Sequence, residues 1–187
     1  MDRLVSDIIF PNGPVTTTTR LIPEMKFVCS GSIVGYTVAM RRPPSTPIMS
    51  TVASRQQSTI QIWRESNSQV HAYHKVGLGI PIGEAECVGG LTEVANNVFD
   101  CELIEGARIS VQSGDIFGLQ LPPENATADF GKISFARVVK GPTNYIFVHR
   151  DQALLLPSHV VLSNSESQSQ ELPQIALRLE LESGKLY

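Results

Sequence analysis

Residues 175–182 read Ile175-Ala176-Leu177-Arg178-Leu179-Glu180-Leu181-Glu182, an unbroken alternation of aliphatic with small or charged side chains. In a strand, successive side chains point to opposite faces, so this run puts its aliphatic residues in a core and its charges in water. Ser32 to Met40 has the same period, with Ile33, Gly35, Thr37 and Ala39 opposing Val34, Tyr36, Val38 and Met40. Further strands are expected at Asp7 to Phe10, Lys26 to Cys29, Thr59 to Arg64, Ala72 to Val76, Val98 to Leu103, Arg108 to Gln112, Ile116 to Leu121, Lys132 to Val139, Tyr145 to His149 and His159 to Leu162. All are rich in Val, Ile, Phe or Tyr.

Between these runs sit turn formers: Ser30-Gly31, Gly77 with Gly79, Gly89-Gly90, Asn96-Asn97, Ser113-Gly114-Asp115, Pro122-Pro123 and Gly141-Pro142. With 12 Pro and 14 Gly in 187 residues, no apolar pattern of helical period runs for three turns. The expected fold is all-β: an antiparallel sandwich, jelly-roll-like, with long loops and little or no helix. One domain accounts for the length. Its core runs from about residue 6 to 162, with a C-terminal strand at 174–181. Arg41 to Gln57, with three prolines, reads as a long surface loop, and 163–171, rich in Ser, Gln and Glu, as a polar linker too hydrophilic to pack.

Charged residues make up only 18% of the chain, the formal net charge is -3, and Lys and Arg are scattered. That distribution offers no footprint for a phosphate backbone, so nucleic acid is not an expected partner. No run approaches the length of a membrane-spanning helix, and this segment itself is not expected to contact a membrane. The opening stretch, with acidic and proline breaks, lacks the apolar region of a signal peptide. An extracellular module would therefore take its leader and any anchor from outside this segment; the literal alternative is a cytosolic protein.

The three cysteines, Cys29, Cys87 and Cys101, lack the paired short spacings of a zinc site. One bridge and one free thiol is the simplest count. A Cys87–Cys101 bridge would close a loop of roughly 15 residues and contribute about 3 kcal/mol through chain entropy. A reduced, buried trio is the alternative. Asn125-Ala126-Thr127 forms a glycosylation sequon in a Pro-rich loop, compatible with a secreted surface.

Chemistry-bearing patterns are sparse. His71 and His74 are separated by an odd number of residues, which on a strand puts them on opposite faces and prevents a shared chelate. There is no G-x-S-x-G elbow and no glycine-rich phosphate cradle, so neither an enzyme nor a cofactor or metal is expected. Asp100 and Asp115 could still meet across loops as the acid pair of a hydrolase. The simpler reading of Asp115 is a turn residue bonding its own backbone, with calcium coordination as the sharper alternative.

One hairpin offers a binding surface. If Ile60 pairs with Val76 and Ile62 with His74, Trp63 falls beside Tyr73 and Gln61 beside Lys75, with His71 near the end. Aromatic rings flanked by amides and cations are what a patch for sugar or protein needs. The competing expectation is that Trp63 fills the second face of a strand buried on both sides.

The segments KFVCSGSIVGYTVA, IQIWRE, YHKVGLGI, CVGGLTEVANNVFDCEL, VQSGDIFGLQLPP, ISFARVVKGPTNYIFVHR and ELPQIALRLEL, in that order, carry a resemblance. Over roughly Ser6 to Leu181 the chain resembles a repeated ectodomain of sponge cell-surface proteins. The resemblance implies an extracellular module beside neighbouring domains of the same chain, often ahead of a membrane anchor, and transfers no catalytic residue and no ligand. The expected function is non-catalytic recognition or adhesion with a protein or glycan ligand. A lectin-like domain and a plain structural spacer are the alternatives.

Overall fold

A computed structural model describes residues 15–41, 58–121, 132–140, 143–151, 159–162 and 167–181. The described residues fold as an all-β antiparallel sandwich, and their one helical element is a 3-10 turn at Glu105–Ala107. The expected strand near residues 7–10 and the expected loop at 42–57 lie outside them.

The first sheet has seven strands. β3 (Thr59–Glu65) and β4 (Ala72–Pro81) form a hairpin, with β12 (His159–Val161) beyond β4. On the other side of β3 lie β8 (Ile116–Leu121), β1 (Val15–Lys26), β11 (Asn144–Asp151) and β13 (Ser167–Ser169). The second sheet runs β15 (Ile175–Leu181), β2 (Gly31–Arg41), β6 (Val98–Glu102) and β5 (Thr92–Ala95). β7 (Ile109–Val111) and β9 (Lys132–Ile133) also pair with β2, and β10 (Phe135–Arg137) pairs with β14 (Glu171–Pro173).

The main core fills the space between the sheets. Ile22, Ile60, Ile62, Phe117 and Leu119 from the first meet Ile33, Tyr36, Val38, Phe99 and Leu103 from the second. Burying each such side chain contributes roughly 1.5–3 kcal/mol, which makes this interface the main stabilising element. β15 keeps its alternation: Ile175, Leu177 and Leu179 are half-buried against the core while Ala176, Arg178 and Glu180 are exposed.

Four expectations are corrected. In β2, strict alternation separates Ile33 from Tyr36, yet both are buried. Arg178 pairs with Gly35 and Leu179 with Ile33, so Val34 is an extra residue that resets the phase, and its carbonyl accepts the Leu103 N–H instead. β4 does not end at Val76. Gly77 and Gly79, both at positive φ, form a bulge that carries the strand on to Pro81.

The Lys26–Cys29 strand is absent, replaced by β1, a Thr-rich run interrupted by Pro23. Pro23 is accommodated because the ladder to β8 slips between Ile22 and Lys26, leaving no bond that needs its missing N–H. Finally, the polar run at 163–171 is not all linker. Residues 167–169 pair with β11 as β13, and Glu171 begins β14.

Candidate functional site

The Trp63 face tests the hairpin expectation directly. The register differs by two residues from the expected one: Ile62 opposes Val76, Trp63 opposes Lys75, and Glu65 opposes Tyr73. The bulge at Gly77–Gly79 takes up the slack, bringing Ile80 opposite Ile60. Trp63, Gln61, Tyr73 and Lys75 still share a face, because an even shift preserves side-chain parity.

That face is closed, however. Trp63 is 1% and Tyr73 2% exposed, and they pack with Leu21, Ile116 and Val160 into a second apolar cluster. The indole lies over Gly118, where an added Cβ would come within 2.7 Å of it. Its N–H donates to Gln61 Oε1 at 3.2 Å, and Gln61 Nε2 donates to Gln120 Oε1 at 2.9 Å.

The sheet curls around this cluster. Burial, with the neighbouring Glu65 and Tyr145, pushes the Tyr73 hydroxyl above its ordinary range, although Tyr145 belongs to a strand four positions away in the sheet. Lys75 is half-buried, and loss of solvent lowers its ammonium pKa. His71, at φ 60° in the turn before β4, is exposed, and its carbonyl accepts the Leu162 N–H. Of the two expectations for this hairpin, the rings follow the second: Trp63 and Tyr73 fill a second core and have no open face.

The two acids expected as a possible catalytic pair are each held by an arginine, on different sheets. Asp115, 1% exposed, accepts from Arg64 Nε at 2.7 Å and Nη2 at 2.8 Å, and its Oδ2 also accepts the Gln112 N–H at 2.8 Å. That is the turn role, with Arg64 engaging both carboxylate oxygens. Asp100 accepts from Arg178 at 2.6 and 2.7 Å and from the Thr37 hydroxyl at 2.7 Å, which holds its carboxyl below the usual range. Among the described residues, no group of three His, Cys, Asp or Glu side chains could hold a metal ion.

Cys87 and Cys101 form the expected disulfide, and Cys29 is free and half-exposed. Tyr36 packs beside the bridge, its hydroxyl oxygen accepting the Gly83 N–H at 3.2 Å, and burial pushes its pKa up. Asn125 lies outside the described residues.

The feature that sequence reasoning missed is a groove of about 390 Å³ at one side of the sandwich. β11 pairs with β1 only as far as Leu21, so Ile22 to Lys26 have no described neighbour on that side. Across the gap lies β15, an edge strand. Ile22 and Phe117 form the floor, Met25 and Phe27 one wall, and Leu172, Ile175 and Leu177 the other, with Glu24 and Lys26 on the rim.

Both walls are anchored. At one end Arg20 reaches from β1 to Glu171 (3.6 Å) while stacking on the Phe135 ring (4.2 Å). Beyond the other, Lys26 pairs with Glu65 at 3.7 Å. Comparison with known proteins finds no matching family model, curated protein or solved structure. One sequence signal marks the groove, Pro23 inside a strand.

Proposed function

We propose that this chain is a non-catalytic recognition module of the extracellular space, which holds a protein partner in the groove between β1 and β15. The groove carries the reading. It is open, mostly apolar and rimmed by one acid and one base, the composition of an interface centre with a polar edge. Its walls are fixed by strand pairing and ion pairs, so little ordering entropy would be lost on binding.

The Cys87–Cys101 bridge supports an oxidising compartment, as does the resemblance to sponge surface ectodomains. The lectin-like alternative loses its surface, since Trp63 and Tyr73 are enclosed. A spacer role has no specific observation in its favour.

The test is a binding screen of the secreted, oxidised chain against arrayed cell-surface ectodomains, repeated with Met25→Arg and Ala176→Arg. Met25 is 46% exposed and Ala176 is exposed, and both line the groove, so the two charges sit at its mouth without entering the core. A partner whose signal both substitutions abolish is the expected result. The reading fails if no partner binds, or if binding ignores both charges.

A further inference from the structure

We propose that the groove takes an extended peptide strand of a partner protein, which adds to the outer edge of β15 and inserts alternate apolar side chains between the sheets. This rests on the groove being the recognition surface and names the chemistry of its occupant.

The argument comes from backbone direction. Gln174 donates its N–H to the Ser134 carbonyl and accepts the Ala39 N–H, both at 2.9 Å, and Ser134 in turn donates to the Ala39 carbonyl, so both polar groups of Gln174 point to the β2 side. In an antiparallel ladder, consecutive residues alternate between facing the partner strand and facing away. Ala176 and Arg178 therefore face β2, whereas Ile175, Leu177 and Leu179 direct N–H and C=O to the opposite edge. No described strand occupies that edge.

An apolar ligand alone would leave these donors and acceptors unpaired. A strand is complementary to them, matching each outward N–H with a carbonyl and each carbonyl with an N–H. The same strand would place every second side chain over Ile22 and Phe117, whose apolar surface forms the groove floor. Pairing Ile175 through Leu179 needs an extended segment of about 17 Å, a typical strand length.

Among the described residues the edge is open to addition, because its usual protections are elsewhere. Arg178 and Glu180 project from the sheet's outer face, where they pair with Asp100 and Arg108, leaving the backbone line uncovered. The occupant is thus a segment with apolar residues at alternate positions and no proline where it pairs.

To test this, peptides selected from a displayed library of random sequences are measured against the oxidised full chain, each then resynthesised with single N-methyl groups along its length. Strand addition predicts loss of binding at every second position only, by about tenfold or more, corresponding to about 1.4 kcal/mol. Leu177→Pro removes an outward N–H without breaking a bond to β2, and should lower affinity by a similar factor. If that variant misfolds, amide exchange in the unaltered chain decides: the Leu177 and Leu179 amides should slow on peptide binding.

An N-methyl scan without period two, with binding still blocked by Met25→Arg, overturns strand addition and leaves groove recognition standing. Peptides indifferent to Met25→Arg and Ala176→Arg overturn both. A concentration-dependent dimer that Leu177→Pro dissociates would assign the edge to a second copy and overturn the partner assignment.

Discussion

Asp115 organises one end of the sandwich through three accepted hydrogen bonds, two from Arg64 and one from the Gln112 amide. Asp115→Ala should cost about 2–3 kcal/mol in urea unfolding, below the figure for a fully buried pair because Arg64 keeps a third of its surface in water. Asp115→Asn, which retains an acceptor for Gln112, should cost less; equal losses would show that the turn bond contributes nothing. Gly35 is a second such position. A Cβ there would sit 2.6 Å from the Cys101 carbonyl and collide with the Arg178 guanidinium, so Gly35→Ala should displace Arg178 from Asp100. A crystal structure of the variant with that ion pair intact would refute this. The turn role of Asp115 was legible because Ser-Gly-Asp is a local pattern, but its arginine lies 51 residues away, and no local rule reaches so far.

At the scale of elements, the Cys87–Cys101 bridge ties β6 to the segment that follows β4, next to the isolated bridge between Cys87 and Leu103. Replacing both cysteines by Ala should lower unfolding free energy by about 2–4 kcal/mol, read from denaturant midpoints. A loss below about 1 kcal/mol would mean that the surrounding pairing already restricts the unfolded loop. The sequence made β8 and β15 legible because each is an apolar run with clear ends. It hid β13 because ladder bonds come from the backbone, so a Ser-Gln-Ser segment pairs as well as an aliphatic one. It hid β1 because Pro23 interrupts the run and the threonines give it no apolar alternation. The Trp63 patch misled for a related reason: β3 is buried on both faces, and a doubly buried strand has no alternation to say which side meets water. The groove left one mark in the sequence, Pro23, since it arises where the ladder of one strand stops opposite the edge of another.

For the whole molecule, two carboxyls of opposite behaviour shape stability against pH. Arg178 and Thr37 hold the folded pKa of Asp100 below its unfolded value near 3.9, so its contribution is full above the unfolded value and is lost as pH falls through the folded one. Burial raises the folded pKa of Glu86, whose Oε2 is buried with no hydrogen-bond partner among the described residues. Its contribution is full below the unfolded value near 4.3 and is lost as pH rises through the folded value. These two groups therefore place the stability maximum between their unfolded values, at about pH 4. Urea midpoints from about pH 3 to 8 should show Glu86→Gln flattening the decline above the peak and Asp100→Asn flattening the decline below it. If Glu86→Gln leaves the upper limb unchanged, the buried carboxyl is not the cause. The acid limb also bears on binding, because Asp100 holds Arg178, and Arg178 ties the edge strand β15 across β2 to β6. Protonating Asp100 loosens one wall of the groove while leaving its apolar floor intact. Affinity for a groove-bound peptide should then fall as pH drops through the lowered folded pKa of Asp100, below the ordinary carboxylate range, before the chain unfolds. Asp100→Asn should bring the same loss to neutral pH, and an unchanged affinity in that variant would show that strand pairing alone holds the wall.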